Sequence, residues 1–205
     1  MDNPCKLSLA VVILAAGRST RMGRPKLLLP WGNTSVLGHV LRQWQSLNAH
    51  QIGVVCATGD DLVPAELFRL GFPEANAIEN PNSSLGMFSS IQCAARWGGW
   101  ETSGNHWAIV LGDQPHLRQT TLRNVLSMAA ENREVVCQPR YQERLAHPVF
   151  LPKRAFLALA ETGTATLKEF LAQQQVLGCP CEDPGLVLDI DRPEDYARAL
   201  TLAGL

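Results

Sequence analysis

Leu9-Ala10-Val11-Val12-Ile13-Leu14-Ala15-Ala16-Gly17 is the stretch that decides the fold. The run 9–14 is apolar without interruption and β-branched at its centre, as expected for a strand covered on both faces. The segment 7–17 also resembles the core of a signal peptide. Against that, Asp2 cancels Lys6 ahead of it, and no small-x-small cleavage site is followed by a polar start. Eleven residues are too few to span a bilayer. A buried strand is the better reading.

Working outward, the same kind of run recurs at regular intervals. Ser35 is placed to cap a helix over 36–47, with Val36, Val40, Leu41 and Trp44 at helical spacing. Further strands are expected at 52–56, 77–78, 107–111, 135–138 and 149–151. Helices are expected near 64–70 and over 86–97, 120–130, 153–160 and 165–174. A last strand at 186–190 and a helix over 193–200, with Pro193 as its first residue, complete the pattern. Strands alternating with helices of this length predict an α/β fold, a mainly parallel open sheet with helices on both faces. The expectation is one domain over 1–205, with an irregular insertion around 138–185.

Composition agrees with that reading. A chain of 205 residues, 46% apolar and 18% charged, buries roughly 70% of its unfolded surface and needs no disulfide or metal staple. A net charge of -1 argues against a nucleic-acid binder. The charge is unevenly placed: 3–59 contains no Asp or Glu but holds Lys6, Arg18, Arg21, Arg24, Lys26 and Arg42, which suggests a focused anion site. Six cysteines without a C-x-x-C pair read as reduced thiols of a cytoplasmic protein, with Cys179 and Cys181 as loop cysteines.

In open α/β sheets, ligands lie beyond the carboxyl ends of the strands. Three segments there carry chemistry. The loop from Gly17 to Lys26 has four cations, two glycines and two hydroxyls, suited to a polyphosphate, although it is neither a P-loop nor G-x-G-x-x-G. A solvated basic turn is the alternative. Gly112-Asp113-Gln114-Pro115 puts a carboxylate one residue past a buried run, where it holds either Mg2+ or merely a turn. Asp189 and Asp191 alternate along an extended segment, so one of them is expected to join Asp113. Glu194 and Asp195 suit the start of the following helix.

Taken in order, LAAGRSTRMGRPK (14–26), NPNSSLGMFSS (80–90), LGDQP (111–115), HPVF (147–150) and DIDRPEDY (189–196) resemble the molybdenum cofactor nucleotidylyltransferases, above all their cytidylyltransferase branch. The likeness covers about 9–200. It implies a Rossmann-like nucleotidyltransferase fold and transfer of a cytidylyl group from CTP to the phosphate of molybdopterin cofactor, with release of pyrophosphate. By the same resemblance, Gly17, Arg21 and Lys26 match triphosphate positions, and Arg18 falls in the same loop. Asp113 matches the Mg2+ ligand and Asp191 the second metal-side position. Ala15 and Ala16 match backbone contacts to the base, and Asn80, Gly86 and Ser90 lie in the segment lining base and ribose. His147 matches a residue near the acceptor, or is structural.

Two departures fall in the acceptor half: Ala146 replaces the usual glycine, and ETGTAT (161–166) replaces a G-D-x-G-A-R segment. The partners implied are CTP, molybdopterin cofactor, and a molybdenum hydroxylase or its insertion chaperone, with neither nucleic acid nor membrane. Guanylyl transfer, a sugar-phosphate acceptor and a non-catalytic pterin carrier are the competing readings.

Overall fold

A computed structural model describes residues 7–17, 19 and 21–205; Cys5, Lys6, Arg18 and Thr20 lie outside the described residues. The first half contains β1 (Leu9–Leu14), β2 (Pro30–Trp31), β3 (Thr34–Ser35), α1 (Val36–Ser46), β4 (Gln51–Ala57), α2 (Leu62–Arg69), β5 (Ala77–Asn80) and α3 (Met87–Arg96). The second contains β6 (His106–Leu111), α4 (Gln119–Glu131), β7 (Val136–Tyr141), β8 (Arg144–Leu145), β9 (Val149–Pro152), α5 (Lys153–Ala158), α6 (Leu167–Leu171), β10 (Val176–Pro180) and α7 (Pro193–Ala203).

The main sheet has the order β10-β7-β9-β6-β1-β4-β5, with β8 paired to β7, while β2 and β3 form a separate hairpin. Pairing is parallel for β1 with β4 and β6, for β4 with β5 and for β7 with β10. Strand β9 runs against both of its neighbours, β6 and β7. Central β1 explains the layering. Leu9, Val11 and Ile13 pack into a core with α1, α2 and α4, while Ala10 and Val12 join a second core with α3, α5 and α6. Successive side chains leave opposite faces of a strand, so a strand buried on both faces must be apolar throughout. Each fully buried Val or Ile there contributes about 1.5–3 kcal/mol.

Capping follows the sequence. Ser35 Oγ accepts from Gly38 N at 3.0 Å at the start of α1. Asp195 Oδ2 accepts from Arg192 N at 3.0 Å at the start of α7, whose first residue is Pro193.

The expected strand at 186–190 is not present. Leu186, Leu188 and Ile190 are buried and Val187 is half exposed, so burial alternates, but Pro184–Val187 is a 3-10 turn and no ladder forms. The last strand is β10, at the sheet edge. Between 138 and 185, the strand expected at 149–151 and the helices expected at 153–160 and 165–174 are present as β9, α5 and α6, and the short strands β8 and β10 are added to them. Among the described residues no helix is long and apolar enough to cross a membrane.

Candidate active site

The site forms where β1, β6 and the segment before α7 end together. Gly112 permits the approach: its N–H donates to Leu14 O at 3.1 Å, and a Cβ there would sit 2.8 Å from that same carbonyl oxygen. Asp113 is thereby held against the loop that follows β1. Lys26 begins the 3-10 turn Lys26–Leu28, and its backbone N–H donates to Ser19 Oγ at 3.2 Å, fixing the end of the loop.

The side chains then converge. Lys26 Nζ donates to Asp113 Oδ2 at 2.5 Å and to Asp191 Oδ1 at 2.9 Å. Arg21 pairs with Asp191 Oδ2 at 2.8 Å. Burial would lower the pKa of Lys26, but Asp113 and Asp191 outweigh it and hold the ammonium above its ordinary value. The hydrogen bond from Lys26 holds Asp191 below the usual carboxylate range.

Asp189 lines the same cavity as Asp191, contrary to the expectation from alternation. The reason is local: Asp191 N donates to Asp189 O at 3.0 Å, a tight turn rather than an extended segment. Gln114 Nε2 donates to Asp189 Oδ1 at 2.8 Å. Burial, and then the charge of Asp113, push the Asp189 carboxyl up.

The cavity, about 370 Å³, is also lined by Ala15, Ala16, Gly17, Gly86 and Ser90. A second cavity of about 570 Å³ shares Ala16 and Gly17 and adds Thr58, Gly59 and Asp60 from the end of β4. These last three carry no motif in the sequence, although they follow a buried run just as Asp113 does. Asn80 stands apart from both cavities. Its Nδ2 donates to Ser89 Oγ and Ser90 Oγ, each at 3.0 Å, and its Oδ1 accepts from Asn82 N at 2.9 Å. The whole amide is used to brace the 80–90 loop.

His147 precedes β9, and because that strand is reversed its start lies on the edge where β6 ends. Nδ1 is 3.2 Å from Ile109 O, and burial pushes the imidazole pKa down. The ETGTAT segment serves α6: Thr166 Oγ1 accepts from Glu169 N at 3.1 Å, and Glu169 Oε2 accepts from Ala165 N at 2.9 Å. Met22 and Trp31 are buried packing residues. Cys179 and Cys181 are buried too, with the Cys181 thiol donating to Cys179 O and its pKa pushed up to about 12 by burial.

Asp113 and Asp191 present hard oxygen donors to one cationic point, now the Lys26 ammonium. Mg2+ is commonly held by one or two carboxylates with substrate phosphates completing its shell, so this pair fits such an ion. Among the described residues no group of three or more His, Cys, Asp or Glu is arranged to hold a metal by itself.

The sequence profile of the MobA-like NTP transferase domain matches residues 11–177. The chain belongs to this family. As a MobA-like NTP transferase it is 23% identical to the molybdenum cofactor cytidylyltransferase of Escherichia coli K12 over 189 residues, 92% of this chain and 93% of that one. It is 34% identical over 120 residues to the bifunctional protein GlmU of Thermosynechococcus vestitus, 58% of this chain but only 26% of that longer protein. Among solved structures, Rv0371c from Mycobacterium tuberculosis H37Rv superposes with a TM-score of 0.73 at 26% identity, covering 95% of this chain and 98% of that one. The same mycobacterial protein is also known in complex with manganese, at a TM-score of 0.69 and 25% identity. The MobA-like chain is thus a nucleotidyltransferase of this type, with its ionised residues gathered at the carboxyl edge of the sheet.

Proposed function

We propose that the protein transfers a nucleotidyl group from a nucleoside triphosphate to a phosphate-bearing acceptor, with a divalent metal and release of pyrophosphate. The observation that carries this reading is the meeting of Lys26, Arg21, Asp113 and Asp191 beside the Gly17 backbone. A carrier that only bound and handed on a pterin would need no such convergence.

An acceptor phosphate monoester has a second pKa of about 6, so it is largely dianionic at neutral pH. Its oxygen attacks the α-phosphorus, the bond from that phosphorus to the bridging oxygen of the β-phosphate breaks, and pyrophosphate leaves with the electron pair. No protein general base is required. The protein's contribution is alignment and charge neutralisation. Lys26 and Arg21 offset the charge on the departing pyrophosphate, and Gly17 leaves room for phosphate oxygens near the backbone. Asp113 and Asp191 would hold the metal, which supplies Lewis-acid polarisation of the phosphate oxygens. The manganese complex of the mycobacterial relative supports a divalent-metal requirement for this fold.

Among bases and acceptors, CTP with molybdopterin cofactor is one candidate pair, and another base or a sugar-phosphate acceptor stands equally with it. Likeness to the Escherichia coli cytidylyltransferase runs through nearly all of both chains, whereas likeness to GlmU covers about a quarter of that protein. Guanylyl transfer and sugar-phosphate acceptors remain within the same chemistry. Pyrophosphate release is measured for each of the four nucleotides against molybdopterin cofactor and a panel of sugar phosphates. Release that needs metal, nucleotide and acceptor together is the expected result. No release in any combination overturns the transferase reading, and turnover confined to another pair replaces only the choice of substrates.

A further inference from the structure

The Lys26 ammonium stands between the two carboxylates best placed to take a divalent cation. It is 2.5 Å from Asp113 Oδ2 and 2.9 Å from Asp191 Oδ1, while Arg21 takes the remaining oxygen of Asp191 at 2.8 Å. The Lys26 and Asp113 side chains are only 14% and 15% exposed, so water screens this contact weakly. Two positive charges thus already balance Asp113 and Asp191, while Asp189, the third carboxylate of the cavity, accepts from Gln114. A further doubly charged cation arriving alone would meet like charge at contact distance, and Asp113 Oδ2 and both oxygens of Asp191 are already paired with a cation. A triphosphate changes that balance. It brings about four negative charges, which attract Lys26 and Arg21, and its oxygens help to complete the metal's shell.

We propose that Lys26 acts as a place-holder cation, keeping Asp113 and Asp191 closed to a divalent metal until a nucleoside triphosphate draws its ammonium away. Metal and nucleotide then enter as one unit. Local structure allows the exchange. The backbone of Lys26 is pinned through Ser19 Oγ, whereas its ammonium sits on a flexible four-carbon stem. The head group is free to swing from carboxylate to phosphate without moving the loop. Lys26 thereby has a second role, setting the order of binding, beyond neutralising phosphate charge.

The inference rests on the transferase reading of the site but is tested without turnover. Mn2+ binding to the full chain, in the absence of nucleotide, is measured by electron paramagnetic resonance for the wild type, Lys26→Met and the double variant Lys26→Met/Asp113→Asn. Lys26→Met keeps the stem and removes the charge; circular dichroism and the unfolding midpoint establish that each variant is folded. The expected result is Mn2+ affinity in Lys26→Met at least about tenfold above wild type, with the gain abolished in the double variant. Equal or weaker Mn2+ binding by folded Lys26→Met overturns the proposal. Should Lys26→Met not fold, Lys26→Gln is measured in its place. In the wild type, adding a non-hydrolysable CTP analogue is expected to raise Mn2+ uptake beyond what the free analogue binds, and no such rise also overturns the proposal. If wild type releases pyrophosphate while Lys26→Met leaves Mn2+ affinity unchanged, the place-holder role falls and the transferase reading stands.

Discussion

The Gln114 side-chain amide donates to Asp189 Oδ1 at 2.8 Å, tying the turn after β6 to a turn 75 residues further along the chain. Gln114 is almost fully buried, and its own Oε1 has no hydrogen-bond partner among the described residues. Gln114→Leu removes the donor and leaves Asp189 facing Asp113 without it. The expected loss is about 1–3 kcal/mol of unfolding free energy, read by urea titration. Turnover should fall with it, because the position of Asp189 beside Asp191 is no longer held. Unchanged stability and turnover would show that the bond is incidental.

Asp113→Asn keeps the shape of the side chain and removes its anionic oxygen. Pyrophosphate release should fall at least ~10²-fold at saturating Mg2+, as when a preorganised electrostatic contact is lost. Lys26→Ala should fall similarly, with Lys26→Arg recovering only part, since a planar guanidinium does not place its charge where an ammonium does. If Lys26→Ala alters thermal stability alone, the loop is structural.

Gly112→Ala tests the approach of β6 to β1. The added methyl would lie 2.8 Å from the Leu14 carbonyl oxygen, a backbone atom that cannot turn aside. A cost of about 1–3 kcal/mol is expected from overpacking, with a matching drop in unfolding temperature. Asp113 is the next residue, so turnover should fall as well.

Acid stability should report on His106, at the start of β6. Burial pushes its imidazole down to about 4, against an ordinary value of 6.5. The unfolded chain therefore binds more protons between those limits, and stability is lost as pH falls from 6.5 towards 4, by about 3 kcal/mol. Denaturant titrations of wild type and His106→Gln across this window should show a flatter profile for the variant; equal slopes would exclude His106 as the source. Asp191, whose pKa is lowered by Lys26, loses its contribution only at more acidic pH, below the ordinary carboxylate range.

Ala16 lines both cavities at the end of β1, and a base packed against this backbone would meet a methyl where glycine would leave more room for a purine. CTP should be used in preference to GTP, ATP and UTP, with the distinction from UTP resting on ring-edge hydrogen bonds worth ~1–3 kcal/mol, roughly ten- to hundredfold. Ala16→Gly should raise purine turnover relative to CTP. A wild type that favours GTP removes the cytidylyl reading; unchanged selectivity in Ala16→Gly removes only the steric explanation.

The residues differ in how plainly they announced themselves. Strands β1, β4 and β6 were readable because each is covered on both faces and so is apolar residue after residue. Strand β10, Val176–Pro180, was not: it holds a glycine and ends in proline, which an edge strand tolerates, and only its pairing with β7 makes it a strand. Residues 186–190 alternate in burial as a strand would, yet no neighbour pairs with them, a fact about the rest of the chain. In the site, Lys26, Arg21 and Asp113 were visible from composition and position. The pairing of Gln114 with Asp189 was not, because it depends on the tight turn between Asp189 and Asp191. The bracing of the 80–90 loop by Asn80 was not visible either, because it depends on where the hydroxyls of Ser89 and Ser90 come to lie.

The contact between Lys26 and Asp191 spans 165 residues, and this sets when the site is completed on the ribosome. Pairing of β1 with β6 needs only the first half of the protein, and brings Lys26 to Asp113 early. Asp191 emerges later: the stretch from Asp113 to Asp191 takes roughly 4–16 s to synthesise. During that interval a nascent chain with its first strands in register carries the Lys26–Asp113 pair without its second carboxylate. Competence therefore waits until Asp191 has been synthesised, and a chain that stops short of it keeps β1, β4 and β6 while lacking the second carboxylate that Lys26 meets.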